Sequence, residues 1–200
     1  MLVIDNVVRW SASDLTRATE CEFSLLRELD VRLGRVPAGE AAPDPLMDKV
    51  AELGDQHEQA ELARLLETYG AWDPATGRGV RVIGPATPYG PKALLEREDE
   101  TIEALKAGAD VVYQATFYDG SFHGRADFLV RDDDSGGYVV CDAKLARQER
   151  PKALLQLAAY ADQLEDNGIP VAPEAELLLG NGRRTRHLLI PRLRITRGIQ

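Results

Sequence analysis

Apolar positions change their spacing near residue 108, and that change divides the chain into two textures. Before it they recur at three- and four-residue intervals, the repeat of a helix face. After it they come in short β-branched and aromatic runs. The opening MLVIDNVVRW predicts a short strand or an extended arm. SASDLTRATECEFSLLRELDVRLG (11–34) predicts one helix with Ser13 or Asp14 as N-cap, Leu15, Ala18, Leu25 and Leu29 at helical intervals, and Gly34 as its stop. VPAGEAAPDP (36–45) predicts a loop. A second helix over 46–69 carries Leu46, Val50, Leu53, His57 and Ala60 on one stripe, with Glu61 one turn beyond His57. Residues 70–91 are rich in glycine and proline and predict a loop holding a short strand at 80–83. A third helix over 92–107 ends at Gly108.

Strands dominate from there. DVVYQATFY (110–118) is one; the runs 122–131 and 137–142 flank DDDSGG and predict a hairpin. AELLLG (175–180) and RHLLI (186–190) read as further strands, and PKALLQLAAYADQLEDNG (151–168) as a helix with Pro151 in its first turn. Helices, three consecutive strands, a helix and one or two more strands specify an α/β domain. Its mixed central sheet is flanked by helices, with an N-terminal helical addition. The length suits a single domain over 1–200, mainly helical in 1–107 and carrying the sheet in 108–200.

The hairpin carries the chemistry. If Arg131 faces Tyr138, Asp127 stands directly opposite Asp142. Alternation places Asp142 and Lys144 on one side and Cys141 and Ala143 on the other. On the first arm it groups Asp127 with Arg125 and Leu129, leaving Ala126, Phe128 and Val130 to face the core. Opposed Cβ atoms lie about 4.5–5.5 Å apart, where like charges repel. A hard divalent cation between the carboxylates would stabilise them. Lys144 would reach a metal-bound water or a phosphate oxygen under attack, although an isolated D-x-K is a weak signal. His57 alone reads as an ordinary helix residue, yet a neutral imidazole suits a third ligand position. Glu58 and Glu61 are further candidates, otherwise solvated helix charges. Gln156 and Tyr160, four apart, share a helix face.

Composition restricts the partners. A formal charge of -9 argues against nucleic-acid binding by bulk attraction and leaves room for local contacts. Arg125, Arg147, Arg150 and Lys152 are candidates for these. The arginines of 183–197 (Arg183, Arg184, Arg186, Arg192, Arg194, Arg197) fit phosphate contacts, a solvated surface or an interface with another domain. Two remote cysteines, Cys21 and Cys141, fit a reducing compartment, with Cys141 a small buried hydrophobe. No apolar run approaches a membrane span, so a cytoplasmic location is expected.

In order along the chain, G-x-x-H (Gly54, His57), GRADF with Asp127, D-x-K (Asp142, Ala143, Lys144) and Q-x-x-x-Y (Gln156, Tyr160) resemble the RecB-like branch of the PD-(D/E)xK nuclease superfamily. SASDLTRATEC and ADVVYQATF are similar to segments of RecB-like nucleases and CRISPR-associated exonucleases, and the resemblance covers roughly 11–180. It implies a restriction-endonuclease-like core in which His57, Asp127, Asp142 and the backbone carbonyl of Ala143 hold Mg²⁺ or Mn²⁺. Lys144 is then expected to position or deprotonate the attacking water and to stabilise developing charge. Gln156 would hold Lys144 or the scissile phosphate, and Tyr160 would support its helix or touch the nucleic-acid backbone. The expected activity is phosphodiester hydrolysis in DNA, as an exonuclease or flap nuclease on single-stranded ends in repair or recombination, coupled to a helicase. The alternative is a nuclease-fold module without catalysis that binds DNA ends or a helicase partner. Some relatives carry an iron–sulfur cluster on four cysteines. Cys21 stands where the first would be, but with only Cys141 besides, no cluster is expected. The chain holds no G-x-x-x-x-G-K-[ST] loop, so any motor lies outside these residues, and the chain is expected to be the N-terminal module of a longer protein.

Overall fold

The computed structural model describes residues 1–39 and 43–189. The opening arm is a hairpin of β1 (Leu2–Ile4) and β2 (Val7–Arg9), turned by Asp5 and Asn6, both at positive φ as a two-residue loop of this kind requires. The helix expected over 11–34 is two helices, α1 (Ala12–Glu20) and α2 (Glu22–Arg32), parted at Cys21, whose backbone is extended. Local competition accounts for the break. Thr19 Oγ1 donates to the Thr16 carbonyl at 2.7 Å, and Cys21 Sγ accepts from the Ser24 N–H at 3.4 Å, starting a new helix. The first N-cap is Ser11 rather than Ser13 or Asp14. Asp14 lies at the third helical position, accepts from the Ser11 N–H at 2.9 Å and sits 2.5 Å from the Met1 ammonium. Burial opposes its charge, but the ammonium and Ser11 outweigh burial and hold its carboxyl below the ordinary value.

Asp44 caps α3 (Pro45–Tyr69), accepting from the N–H groups of Leu46 and Met47. Only the second half of α3 buries apolar side chains, Leu62 and Leu65. Leu46 is 72% exposed, and Met47, Val50 and Leu53 are also exposed, so the predicted stripe begins outside the core. β3 (Val80–Val82) precedes α4 (Pro91–Ala107), which stops at Gly108 in the left-handed conformation. Then come β4 (Val111–Tyr118), β5 (His123–Asp132), β6 (Gly137–Lys144), α5 (Pro151–Asp166), β7 (Glu174–Leu179) and β8 (Arg184–Leu188). Ile190, the end of the last predicted strand, lies outside the described residues.

The strands form one six-stranded sheet in sequence order, β3 to β8. β3/β4 and β6/β7 pair in parallel, joined through α4 and α5; the other neighbours are antiparallel. The mixed sheet is covered on both faces. Ala104 and Leu105 of α4, Leu157 and Leu164 of α5 and Ala12 of α1 pack with Val112, Leu129, Val140 and Leu177. On the opposite face Leu62 and Leu65 of α3 pack with Val80, Val111, Phe128, Val139 and Cys141. Among the described residues no helix is long and apolar enough to cross a membrane.

Candidate active site

β5 and β6 pair from Asp132 with Gly137 to Phe128 with Cys141, and Arg131 faces Tyr138 as the turn sequence implied. One further step brings Asp127 level with Asp142. There the ladder gives way, because Asp127 Oδ2 itself accepts from the Ala143 N–H at 2.8 Å. Strict alternation fails here too. Leu129, expected beside Asp127 on an open face, is fully buried with Ala126 under α4 and α5, while Phe128 packs under α3. The expectation that Ala126, Phe128 and Val130 share one core is corrected likewise, since Ala126 lies in a different core from the other two. A sheet covered on both faces has no solvent side to impose the alternating pattern. β4 carries the matching irregularity. Consecutive residues Tyr113 and Gln114 both turn to α3, where the Tyr113 hydroxyl accepts from Gln59 at 2.8 Å and the Gln114 amide donates to Glu58. Gln114 sits at φ 58, uncommon for a residue with a Cβ.

The two carboxylates are strongly perturbed. Burial, then the Asp142 charge, then Glu58 push Asp127 up to about 8, against the pull of the Ala143 N–H and Lys144. Burial raises Asp142 as well, and Lys144 pulls it back. Lys144 Nζ donates to Asp142 Oδ1 at 2.9 Å and lies 2.7 Å from Oδ2, so the ammonium spans both carboxylate oxygens. The acids therefore titrate as a pair beside one ammonium. Tyr160 of α5 closes this side. Its hydroxyl accepts from the Arg125 N–H at 3.2 Å and its ring stacks on Phe117. Gly124 makes room for it, since a Cβ there would meet the Tyr160 ring at 2.7 Å.

The other sequence candidates are distributed around this pair. His57 of α3 is half-buried, with Nε2 3.1 Å from the carbonyl of Leu178, the β7 residue paired with Ala143. Glu58 lies within electrostatic reach of both aspartates. Glu61 is engaged by Arg64 and Arg184, each at 2.6 Å, in a network that reaches Glu176. Gln156 Nε2 lies 3.5 Å from Ser13 Oγ of α1, whereas Lys144 bonds Asp142. Arg125, Arg147 and Arg150 are exposed, while Lys152 is paired with Glu20. Arg184 and Arg186 are committed to Glu176, and Arg183 lies 3.9 Å from Glu149. Arg192, Arg194 and Arg197 lie outside the described residues. Sequence reasoning passed over Gln114, whose signal was an amide inside VVYQATFY, a run otherwise of β-branched, aromatic and alanine residues.

The donor set is carboxylate oxygen, from Asp127 and from an Asp142 that is ion-paired to Lys144, and oxygen of this kind fits a hard divalent cation. Among the described residues no three His, Cys, Asp or Glu side chains stand close enough to cage one. The family model of the PD-(D/E)XK nuclease superfamily matches residues 9–187. A search of curated proteins found no match.

Proposed function

The chain belongs to the PD-(D/E)XK nuclease superfamily, and we propose that it is a Mg²⁺- or Mn²⁺-dependent deoxyribonuclease acting on single-stranded DNA ends, as an exonuclease or flap nuclease. The observation that carries this reading is the half-buried Asp127 beside the buried Asp142, with the Lys144 ammonium on Asp142. Two raised carboxyls cost stability in the metal-free fold and are useful where a cation is to be held.

Asp127, Asp142, the Ala143 carbonyl and His57 are the groups that would hold the ion. A bound divalent cation polarises a phosphoryl oxygen and makes hydroxide accessible near neutral pH. Lys144, its side chain 37% exposed, is open to solvent and would orient the attacking water and stabilise charge growing on the phosphate. Tyr160 fixes the Arg125 backbone, and the exposed Arg125, Arg147 and Arg150 supply phosphate contacts on an acidic molecule. Gln156 lies on the same face of α5, one turn before Tyr160. Local rather than bulk attraction suits a strand end delivered to the site, in DNA repair or recombination in the cytoplasm beside a helicase.

A second reading is a nuclease-fold module that binds DNA ends or a helicase partner without cutting. It is favoured by the His57 imidazole resting on the Leu178 carbonyl rather than on the acids. Labelled single-stranded DNA incubated with Mn²⁺ and wild type, Asp142→Ala or Lys144→Ala separates the two. Cleavage by wild type alone supports the nuclease. Binding without cleavage by all three supports the module, and equal cleavage by all three exposes a contaminant.

A further inference from the structure

Gln114 is the one residue inside a strand of the six-stranded sheet that has a Cβ and a positive φ. Backbone of this kind is retained where the surroundings enforce it. Gln114 is 8% exposed, its Nε2 donates to Glu58, and its Oε1 is buried with no partner among the described residues. The unusual conformation is what turns two consecutive side chains, Tyr113 and Gln114, to α3 and brings the amide beneath Glu58. A buried acceptor beside an acid that no protein donor engages is open to a hydrogen bond from water. Water is the donor of the right size and polarity. Gln114 falls between the β4/β5 pairs Tyr113–Phe128 and Ala115–Ala126, level with Asp127, yet among the described residues no three acids are close enough for direct ligation. Mg²⁺ and, by the same hardness, Mn²⁺ keep much of their water when bound by one or two carboxylates.

We propose that Gln114 and Glu58 form an outer shell for the cation site, with Gln114 a positioning residue that aims the Glu58 carboxylate and offers Oε1 to metal-bound water. This rests on the reading of Asp127 and Asp142 as the inner ligands. The pair extends the site from α3 and β4 without adding a direct ligand.

The test is Mn²⁺ binding to the full chain by calorimetry, without DNA, for wild type, Glu58→Gln, Gln114→Gly, the double variant and Asp142→Asn. Outer-shell groups are worth about 10-fold or more in metal affinity. Each single variant is expected to weaken binding about 10-fold, and the double variant no further, because the two act as one unit. Gln114→Gly relieves the positive φ but loses a buried side chain and its bond to Glu58, so its metal-free melt is recorded beside its affinity to show that it is folded. If it does not fold, Gln114→Asn, which tolerates that region with a shorter amide, replaces it. Unchanged affinity in Glu58→Gln or Gln114→Gly, or fully additive losses in the double variant, overturns the proposal. Loss of binding in Asp142→Asn alone leaves the inner site standing and rejects only the outer shell. Wild-type affinity in Asp142→Asn removes the cation site itself.

Discussion

Removing one acid from the Asp127–Asp142 pair should make the metal-free protein more stable. Asp127→Asn keeps the side chain's shape, and its remaining carbonyl oxygen can still accept from the Ala143 N–H. In the wild type, Asp127 holds its proton up to about 8, whereas in the unfolded chain it ionises near 3.8. Between those values the folded state binds more protons, so stability falls as pH rises through the window and levels off above about 8. At about 1.4 kcal/mol per pH unit, the gap caps the effect at about 6 kcal/mol. Sharing with Asp142 and the nearby Lys144 reduces what one substitution recovers to roughly 2–4 kcal/mol. At 2–4 °C per kcal/mol for a chain of this size, the melting temperature at pH 8.5 in chelator should rise by roughly 4–16 °C. Near pH 4.5 the advantage should shrink towards zero. Saturating Mn²⁺ should then raise the wild type by about 2.7 kcal/mol at 100 times its dissociation constant and leave the variant unmoved. Calorimetric melts at both pH values measure this. An Asn variant less stable than wild type at pH 8.5, or an advantage independent of pH, would refute the electrostatic account.

Three further outcomes follow from particular contacts. Lys144→Met should abolish cleavage and lower stability by about 1–3 kcal/mol in urea melts, because Asp142 loses its counter-charge while remaining buried. Asp14→Ala should cost about 1–2 kcal/mol at pH 7. Because the Asp14 carboxyl is lowered in the fold, that contribution is present above its unfolded pKa and lost as pH falls through the folded value, so the two proteins should converge in acid. Gly124→Ala should push the Tyr160 ring from its seat and break its hydroxyl contact with Arg125, cutting activity while circular dichroism stays native.

Local signals were read correctly where one element sufficed. DDDSGG set the hairpin register, and prolines and glycines marked the ends of α3, α4 and α5. What sequence could not express depends on two elements at once. The break at Cys21 turns on threonine hydroxyls competing for carbonyls. The failure of alternation at Asp127 is matched by one at Gln114 on the neighbouring strand, and periodicity along either strand alone is blind to that. Glu61 looked like a ligand because Arg184, 123 positions away, was not visibly its partner. The family's motifs were legible in their order. The electrostatic cost of the acid pair became visible only with its burial.

The lopsided anchoring of α3 has a mechanical corollary. One end is clamped to the sheet by Leu62, Leu65 and the Glu61–Arg184 link, while the turns bearing Leu46, Met47, Val50 and Leu53 overhang it. His57 and Glu58 sit at the fulcrum of this beam. A load settling on the overhang would tilt their aim without touching the acids themselves.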